Sequence, residues 1–168
     1  MNFSVSHNDV DITNLIIEYQ TQHQICSGVG ALQLTIPLKA RTFNPYDTIK
    51  IYENGNLSGT FYVSEITDDF QAGQTQILAQ DGSKKLADYY FADNTYYTTP
   101  TTCKFWIEKL LNEAGVNYQF VVTGSGNLIP PNTPLGPGNA FELITSLLQQ
   151  SGWYITFDQN NTAIIGKI

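Results

Sequence analysis

The chain has 168 residues, of which 42% are hydrophobic, 12% aromatic and only 14% charged, where an average soluble domain carries about a quarter charged residues. Eight basic side chains against fifteen acidic ones leave a net charge of -7, which argues against nucleic-acid backbone binding, a task for clustered Lys and Arg. The apolar content excludes a disordered chain, and no stretch approaches the ~20 apolar residues of a membrane helix.

Met1-Asn2-Phe3-Ser4 lacks the basic start and apolar run of a signal peptide, so the expectation is a soluble protein outside the general secretory route. Cys26 and Cys103 fit neither a disulfide framework nor a zinc site and are read as buried free thiols. The length allows one domain or two small ones.

The first half reads as strands. Leu15-Ile16-Ile17-Glu18-Tyr19-Gln20 is rich in β-formers, and Leu32-Gln33-Leu34-Thr35-Ile36 alternates apolar and polar residues as a half-buried strand does. Turn chemistry at Asn44-Pro45-Tyr46-Asp47 precedes a strand over Thr48 to Glu53. Asn54-Gly55 then predicts a hairpin into a long run from Leu57 to Ile66, because both central residues of a type I′ turn need positive φ. A turn at Asp68-Asp69 with Gly73 leads to Thr75 to Gln80. Five or six closely spaced antiparallel strands suggest a small barrel or sandwich.

Asp81 or Ser83 caps a short helical turn over Lys84 to Tyr89, anchored by Leu86. A polar aromatic stretch, Tyr89 to Tyr97, links to a second region, which places a boundary near Asn94 and gives domains over residues 1–94 and 95–168. The second region mixes helix and strand. Thr99-Pro100-Thr101-Thr102 offers caps for a helix through Ala114 that stops at Gly115, and Val116 to Val122 follows as a strand. The Gly- and Pro-rich segment from Thr123 to Gly138 reads as disorder or a contact loop. Asn139 caps a helix with a wide apolar stripe that stops at Ser151-Gly152, and a hairpin over Trp153 to Ile165 closes a small α+β unit.

No constellation points to catalysis, and no catalytic, cofactor-binding or metal-ligating set is expected. His7 and His23 are isolated and read as solvated or structural side chains. Asp9 with Asp11, and Asp68 with Asp69, read as turn residues, without the spacing of a calcium loop. Gly28-Val29-Gly30 lacks a dinucleotide fingerprint, and Gly124-Ser125-Gly126 lacks a nucleophile elbow; both read as flexible turns. Glu108, Glu113 and Glu142 read as solvated helix faces. The aromatics say more: Tyr89, Tyr90, Phe91, Tyr96 and Tyr97 crowd the boundary. They pack the two regions together, form a subunit interface, or make a stacking platform for a sugar or base.

The order of these pieces resembles the N-terminal half of the phage tail and baseplate hub family, the gp27-like or late-control-protein-D-like proteins. The resemblance begins with Gly59-Thr60-Phe61-Tyr62-Val63 and continues with Ala79-Gln80-Asp81-Gly82-Ser83-Lys84-Lys85-Leu86-Ala87-Asp88. Thr99-Pro100-Thr101, Trp106-Ile107, Leu110-Leu111 and Ala114-Gly115-Val116 come next. It ends with Pro137-Gly138-Asn139-Ala140-Phe141-Glu142-Leu143-Ile144 and Ser151-Gly152-Trp153-Tyr154.

The resemblance implies a mainly β chain, with an N-terminal tail-tube-like antiparallel β-barrel followed by a small α/β domain. It implies no enzyme and no cofactor. The expected role is a virion protein, made in the host cytoplasm, that forms a homo-oligomeric ring, trimer or hexamer, joining the tail tube to spike or tip proteins. DNA passes transiently through the lumen, and an acidic wall suits that passage; no membrane is involved. Hubs of this family carry two barrels per chain whereas this sequence has one, which leaves open six copies, three beside a second protein, or a sequence that is a truncated hub. The alternatives are a receptor- or carbohydrate-binding tail module and a tail-associated cell-wall hydrolase.

Overall fold

The computed structural model describes residues 3–23, 30–92 and 95–168. Period-two alternation in the first part builds one antiparallel sheet. Its strands are β1 (Phe3–His7), β2 (Val10–Asp11), β3 (Glu18–His23), β4 (Gly30–Pro37), β5 (Thr48–Glu53), β6 (Asn56–Asp69) and β7 (Gln74–Gln80). They lie side by side in the order β2-β1-β5-β6-β7-β4-β3.

The inward face carries Val5, Leu32, Leu34, Ile36, Ile49, Ile51, Phe61, Val63, Ile77 and Ala79, which meet Ile12 and Phe43 in one core. Each fully buried side chain of this size contributes about 1.5–3 kcal/mol. A lone sheet can bury a face only by curling over it. The curl brings Phe3 of β1 onto Tyr19 of β3, with ring centroids 4.1 Å apart. Among the described residues, no ladder joins β1 or β2 to β3. The molecule therefore has a curled seven-stranded sheet, where the sequence led to a small barrel or sandwich.

The hairpin between β5 and β6 turns at Asn54 (φ 51°) and Gly55 (φ 81°), as the type I′ reading requires. Gly59 on β6 has a different reason: a Cβ there would stand 2.8 Å from Cε2 of the buried Phe61 ring. The strand expected over Leu15 to Gln20 begins later. Asp11 Oδ1 accepts from the Thr13 N–H (2.8 Å) and hydroxyl (2.6 Å). This side-chain competition with a ladder sits at a 3₁₀ turn over Thr13–Leu15, and β3 starts only at Glu18.

The second part contains α1 (Ser83–Asp88), β8 (Tyr90–Phe91), β9 (Thr101–Thr102), α2 (Cys103–Glu113), β10 (Tyr118–Phe120), β11 (Leu128–Ile129), β12 (Gly138–Asn139), α3 (Ala140–Ser151), β13 (Trp153–Phe157) and β14 (Ala163–Lys167). Thr102 caps α2 by accepting from the Phe105 N–H, Asn139 caps α3 by accepting from Glu142, and Gly152 ends α3 at φ 64°; a cap of this kind contributes about 1 kcal/mol. β14 pairs in parallel with β10 and antiparallel with β13. A second core gathers Trp106, Ile107, Leu110 and Leu111 from α2, Ile144, Leu147 and Leu148 from α3, and Trp153, Ile155 and Ile165 from the strands.

The segment Thr123 to Gly138 is ordered. β11 pairs with β9, β12 pairs with β8, Thr95 bridges to Leu135, and the Asn132 N–H bonds to the Tyr97 carbonyl. The chain divides into two units, and the change falls between Gly82 and Ser83, so α1 and β8 go with the second; the turn Asp158–Asn161 groups with the first. The boundary expected near Asn94 falls outside the described residues, as do Cys26 and the Gly28-Val29 part of the first glycine turn. Cys103 is a buried free thiol at the start of α2.

Candidate functional site

The five boundary aromatics do not act as one surface. β8 alternates, sending Tyr90 outward at 64% exposure and Phe91 inward at 7%, where it joins the second core. Tyr89 lies against that core and its hydroxyl donates to Glu113 Oε2 at 3.0 Å. That bond to a carboxylate, with burial second, raises the phenol above its ordinary pKa. Glu113 also pairs with Lys109 one turn back, which holds the Lys109 ammonium above its ordinary value chiefly through the same bond. Tyr97 sets its ring edge-on to Phe105 (5.3 Å) and tilted against Trp106 (5.2 Å). Tyr96 stands out at 57% exposure. Tyr90 and Tyr96 thus face solvent most, Tyr97 is exposed on one side of its ring contacts, and Tyr89 and Phe91 serve the core.

The outward face of β3, β4, β7 and β6 is a feature the sequence reading missed. The register lines up Glu18, Thr35, Gln76 and Thr67 in one row and Gln20, Gln33, Leu78 and Glu65 in the next. Gln22, Ala31, Gln80 and Tyr62 form a third. None of these four strands contains a Lys or Arg. A shallow cleft of about 390 Å³ runs over it, lined by Gln20, Gln22, Gln33, Gln80, Ser64 and Glu65 among others. Among the described residues β3 is the last strand of the sheet and is bonded only to β4, and Glu18 through Gln22 are exposed.

His7 is buried, as a structural reading of an isolated histidine allows, and is bonded at both ring nitrogens. Nε2 meets Asp47 Oδ2 at 2.8 Å, Arg41 Nε–H donates to Nδ1, and the ring stacks on Phe43 with centroids 4.1 Å apart. Asp47 also accepts from the Asn8 carboxamide (2.9 Å) and the Asn44 N–H (2.8 Å). Burial works to raise the Asp47 carboxyl, but the bonds from Asn8, His7 and Asn44 outweigh it and leave its pKa below the ordinary value. A carboxyl whose folded pKa is depressed stabilises the fold above its unfolded value, near 3.9, and loses that contribution as pH falls through the folded one. Urea midpoints measured from pH 5 down to pH 2 are expected to drop more steeply for the wild type than for Asp47→Asn. Equal slopes would contradict this assignment.

Other ionisable groups are taken up locally. Asp9 pairs with Lys50 at 2.5 Å, and bonds from Thr13 lower the Asp11 carboxyl. Asp69 Oδ1 accepts from the Gln71 and Ala72 N–H groups, and Asp68 Oδ1 from the Thr75 hydroxyl, in keeping with their reading as turn residues. On the helices Glu108 and Glu113 pair with lysines one turn away. Ser125 supplies its carbonyl to the Lys104 N–H at the start of α2 (3.0 Å). Among the described residues no group of three or more His, Cys, Asp and Glu is placed to hold a metal ion, and no helix is long and apolar enough to cross a membrane.

No family model matches the sequence, and no curated protein matches it in sequence. Solved structures do. A 43 kDa tail protein of a Shewanella oneidensis prophage superposes with a TM-score of 0.72 at 14% identity, over 99% of this chain and 54% of its own. A tail protein from Neisseria meningitidis gives 0.73 at 13% identity, over 99% and 51%. A prophage tail protein from Listeria monocytogenes gives 0.67 at 13% identity, over 99% and 51%. The chain thus spans about half the length of the proteins it matches. Its mainly β fold with a few helices is a fold found in phage tail proteins.

Proposed function

We propose that the chain is a structural, non-enzymatic part of a phage tail, a baseplate or tail-tip hub component whose copies form a ring between the tail tube and the spike or tip. The observation that carries this reading is the likeness of fold to three tail proteins along 99% of the chain. In this reading the curled sheet plays the part of a tail-tube-like barrel, and a neighbouring copy covers its open edge at β3. That edge carries no Lys and no Pro, the residues natural proteins often use to keep an exposed edge from pairing. Low charge density reduces the desolvation cost of packing copies together.

The cation-free face suits the wall of the channel. Double-stranded DNA binds proteins largely through Lys and Arg contacts to its phosphates, and rows of Gln, Thr and Glu offer it none. Tyr90 and Tyr96 are the aromatics that would meet a neighbouring subunit. The matched tail proteins are about twice as long, and the ring takes six copies, three beside a second protein, or three of a longer protein of which this sequence is half. Negative-stain microscopy of the purified protein, with and without isolated tails, tests the proposal. Rings, or added density at the tail tip, are expected; a stable monomer that fails to associate with tails overturns it.

A further inference from the structure

We propose that His7 is a proton-operated latch on residues 38–47, the segment that carries the chain from β4 to β5. This segment crosses the strand order past β7 and β6, and its Phe43 is buried in the first core. Two bonds to one imidazole hold it from either side. Arg41 Nε–H donates to Nδ1 and Arg41 Nη2 donates to the His7 carbonyl at 3.4 Å, while the ring's Nε2–H donates to Asp47 Oδ2 at 2.8 Å. Only the neutral ring with its proton on Nε2 satisfies both partners.

A second proton, on Nδ1, converts Arg41's acceptor into a donor. Guanidinium has donors only, so the contact becomes two N–H groups and two positive charges facing each other in a buried site, where like charges repel most strongly. On the other side the bond to the Asp47 carboxylate becomes an ion pair and tightens. Acid therefore frees the Arg41 side chain from the ring and keeps the Asp47 side, while the Leu38 N–H on the Gly73 carbonyl (2.8 Å) and the Lys39 N–H on the Thr75 hydroxyl (3.2 Å) still hold the start of the segment. Among the described residues, the other charged side chains on the turn and strands beside β1 are Asp9, in the turn after β1, Asp11 on β2, and Lys50 and Glu53 on β5. Asp9 and Lys50 pair at 2.5 Å, Asp11 is bonded to Thr13, and Glu53 stands opposite Phe3 at the far end of the ladder. Asn8 spends its carboxamide N–H on Asp47 and the Phe43 ring carries no charge. Arg41 and Asp47 are thus the charges that decide the outcome, and histidine is the side chain that ordinarily changes charge between pH 5 and 8.

Arg41 is the only arginine in the sequence, so ¹⁵N-labelled full-length protein gives one Nε–H resonance to follow. At pH 7.5 that resonance is expected away from the free-arginine position, with His7 Nδ1 unprotonated; His23→Gln assigns the imidazole. The pH is then lowered to 5: wherever Nδ1 takes its proton, the Arg41 signal is expected to return to the free position with the same midpoint. Its protection from solvent exchange falls on the order of tenfold, as for a local opening. His7→Gln offers an amide N–H to Asp47 and a carbonyl to Arg41 and takes no proton, so its Arg41 signal stays shifted at both pH values. The wild type alone can overturn the latch. It fails if Nδ1 already carries a proton at pH 7.5, if the ring takes none down to pH 5, or if Arg41 does not move while the ring titrates.

Discussion

Trp106→Ala is expected to cost roughly 3–5 kcal/mol, the range for deleting a large buried aromatic side chain. Trp106 is 1% exposed in the second core. It touches Tyr97 and Phe105 ring to ring, and its indole N–H donates to the Thr101 hydroxyl at 2.9 Å. Alanine removes the ring and its contacts and leaves a cavity that α2 and α3, each fixed by a capped N-terminus, close only in part. Trp153, the other tryptophan, lies in the same core, so its fluorescence follows the urea transition of the variant. Trp106→Phe separates the two contributions, because it keeps most of the ring and loses the bond to Thr101. Its expected cost is about 1–3 kcal/mol, the penalty for a polar group left unpaired together with the lost ring volume. A loss below about 1 kcal/mol for Trp106→Ala, under the usual floor for such a deletion, would show that the site is not packed as described.

Phe61→Ala is expected to be as severe in the first unit, again roughly 3–5 kcal/mol, read as the shift in the urea midpoint of the β-sheet circular dichroism. Phe61 is among the largest fully buried side chains of the sheet core, and its ring lies over the bare backbone of Gly59 two residues earlier. That overlap predicts a coupling. Gly59→Ala alone places a methyl 2.8 Å from a ring that its core neighbours hold in place, an overpacking that costs about 1–3 kcal/mol. In a Phe61→Leu background the methyl has room and the cost shrinks. Additive losses across this double-mutant cycle would mean that ring and glycine do not compete for the same space.

Much of the fold was legible wherever a local rule has one physical solution. Asn54-Gly55 turned as its positive-φ preference demands, and Asn139 and Gly152 bound α3 at both ends. The two-residue ladders β8, β9, β11 and β12 were not legible, because two residues carry no periodicity; without them Thr123 to Gly138 read as disorder or a contact loop. Leu15 and Ile16 looked like strand by composition, yet they pack beneath the sheet from the 3₁₀ turn and the residue after it. The boundary aromatics were legible as a cluster but not in their orientation: sequence adjacency joined Tyr90 to Phe91, and strand alternation set them on opposite sides. His7 gave no sign of its network, since Arg41 lies 34 residues away and Asp47 lies 40. The outward rows of glutamine become visible only when the register places β3, β4, β7 and β6 side by side.

The strand order also dictates a sequence of events during folding. β5, β6 and β7 follow one another in the chain and pair with their immediate neighbours, so their meander closes through short turns. β4 bonds to β7, and β1 bonds to β5, each across a long stretch of intervening chain whose closure entropy must be met before any ladder forms. A chain made from its N-terminus therefore produces the β1–β2 and β3–β4 pairs before β5 and β7, the strands that join them into one sheet, exist. The two early pairs have no ladder between them until the meander supplies it, so the single sheet is completed from its middle outward.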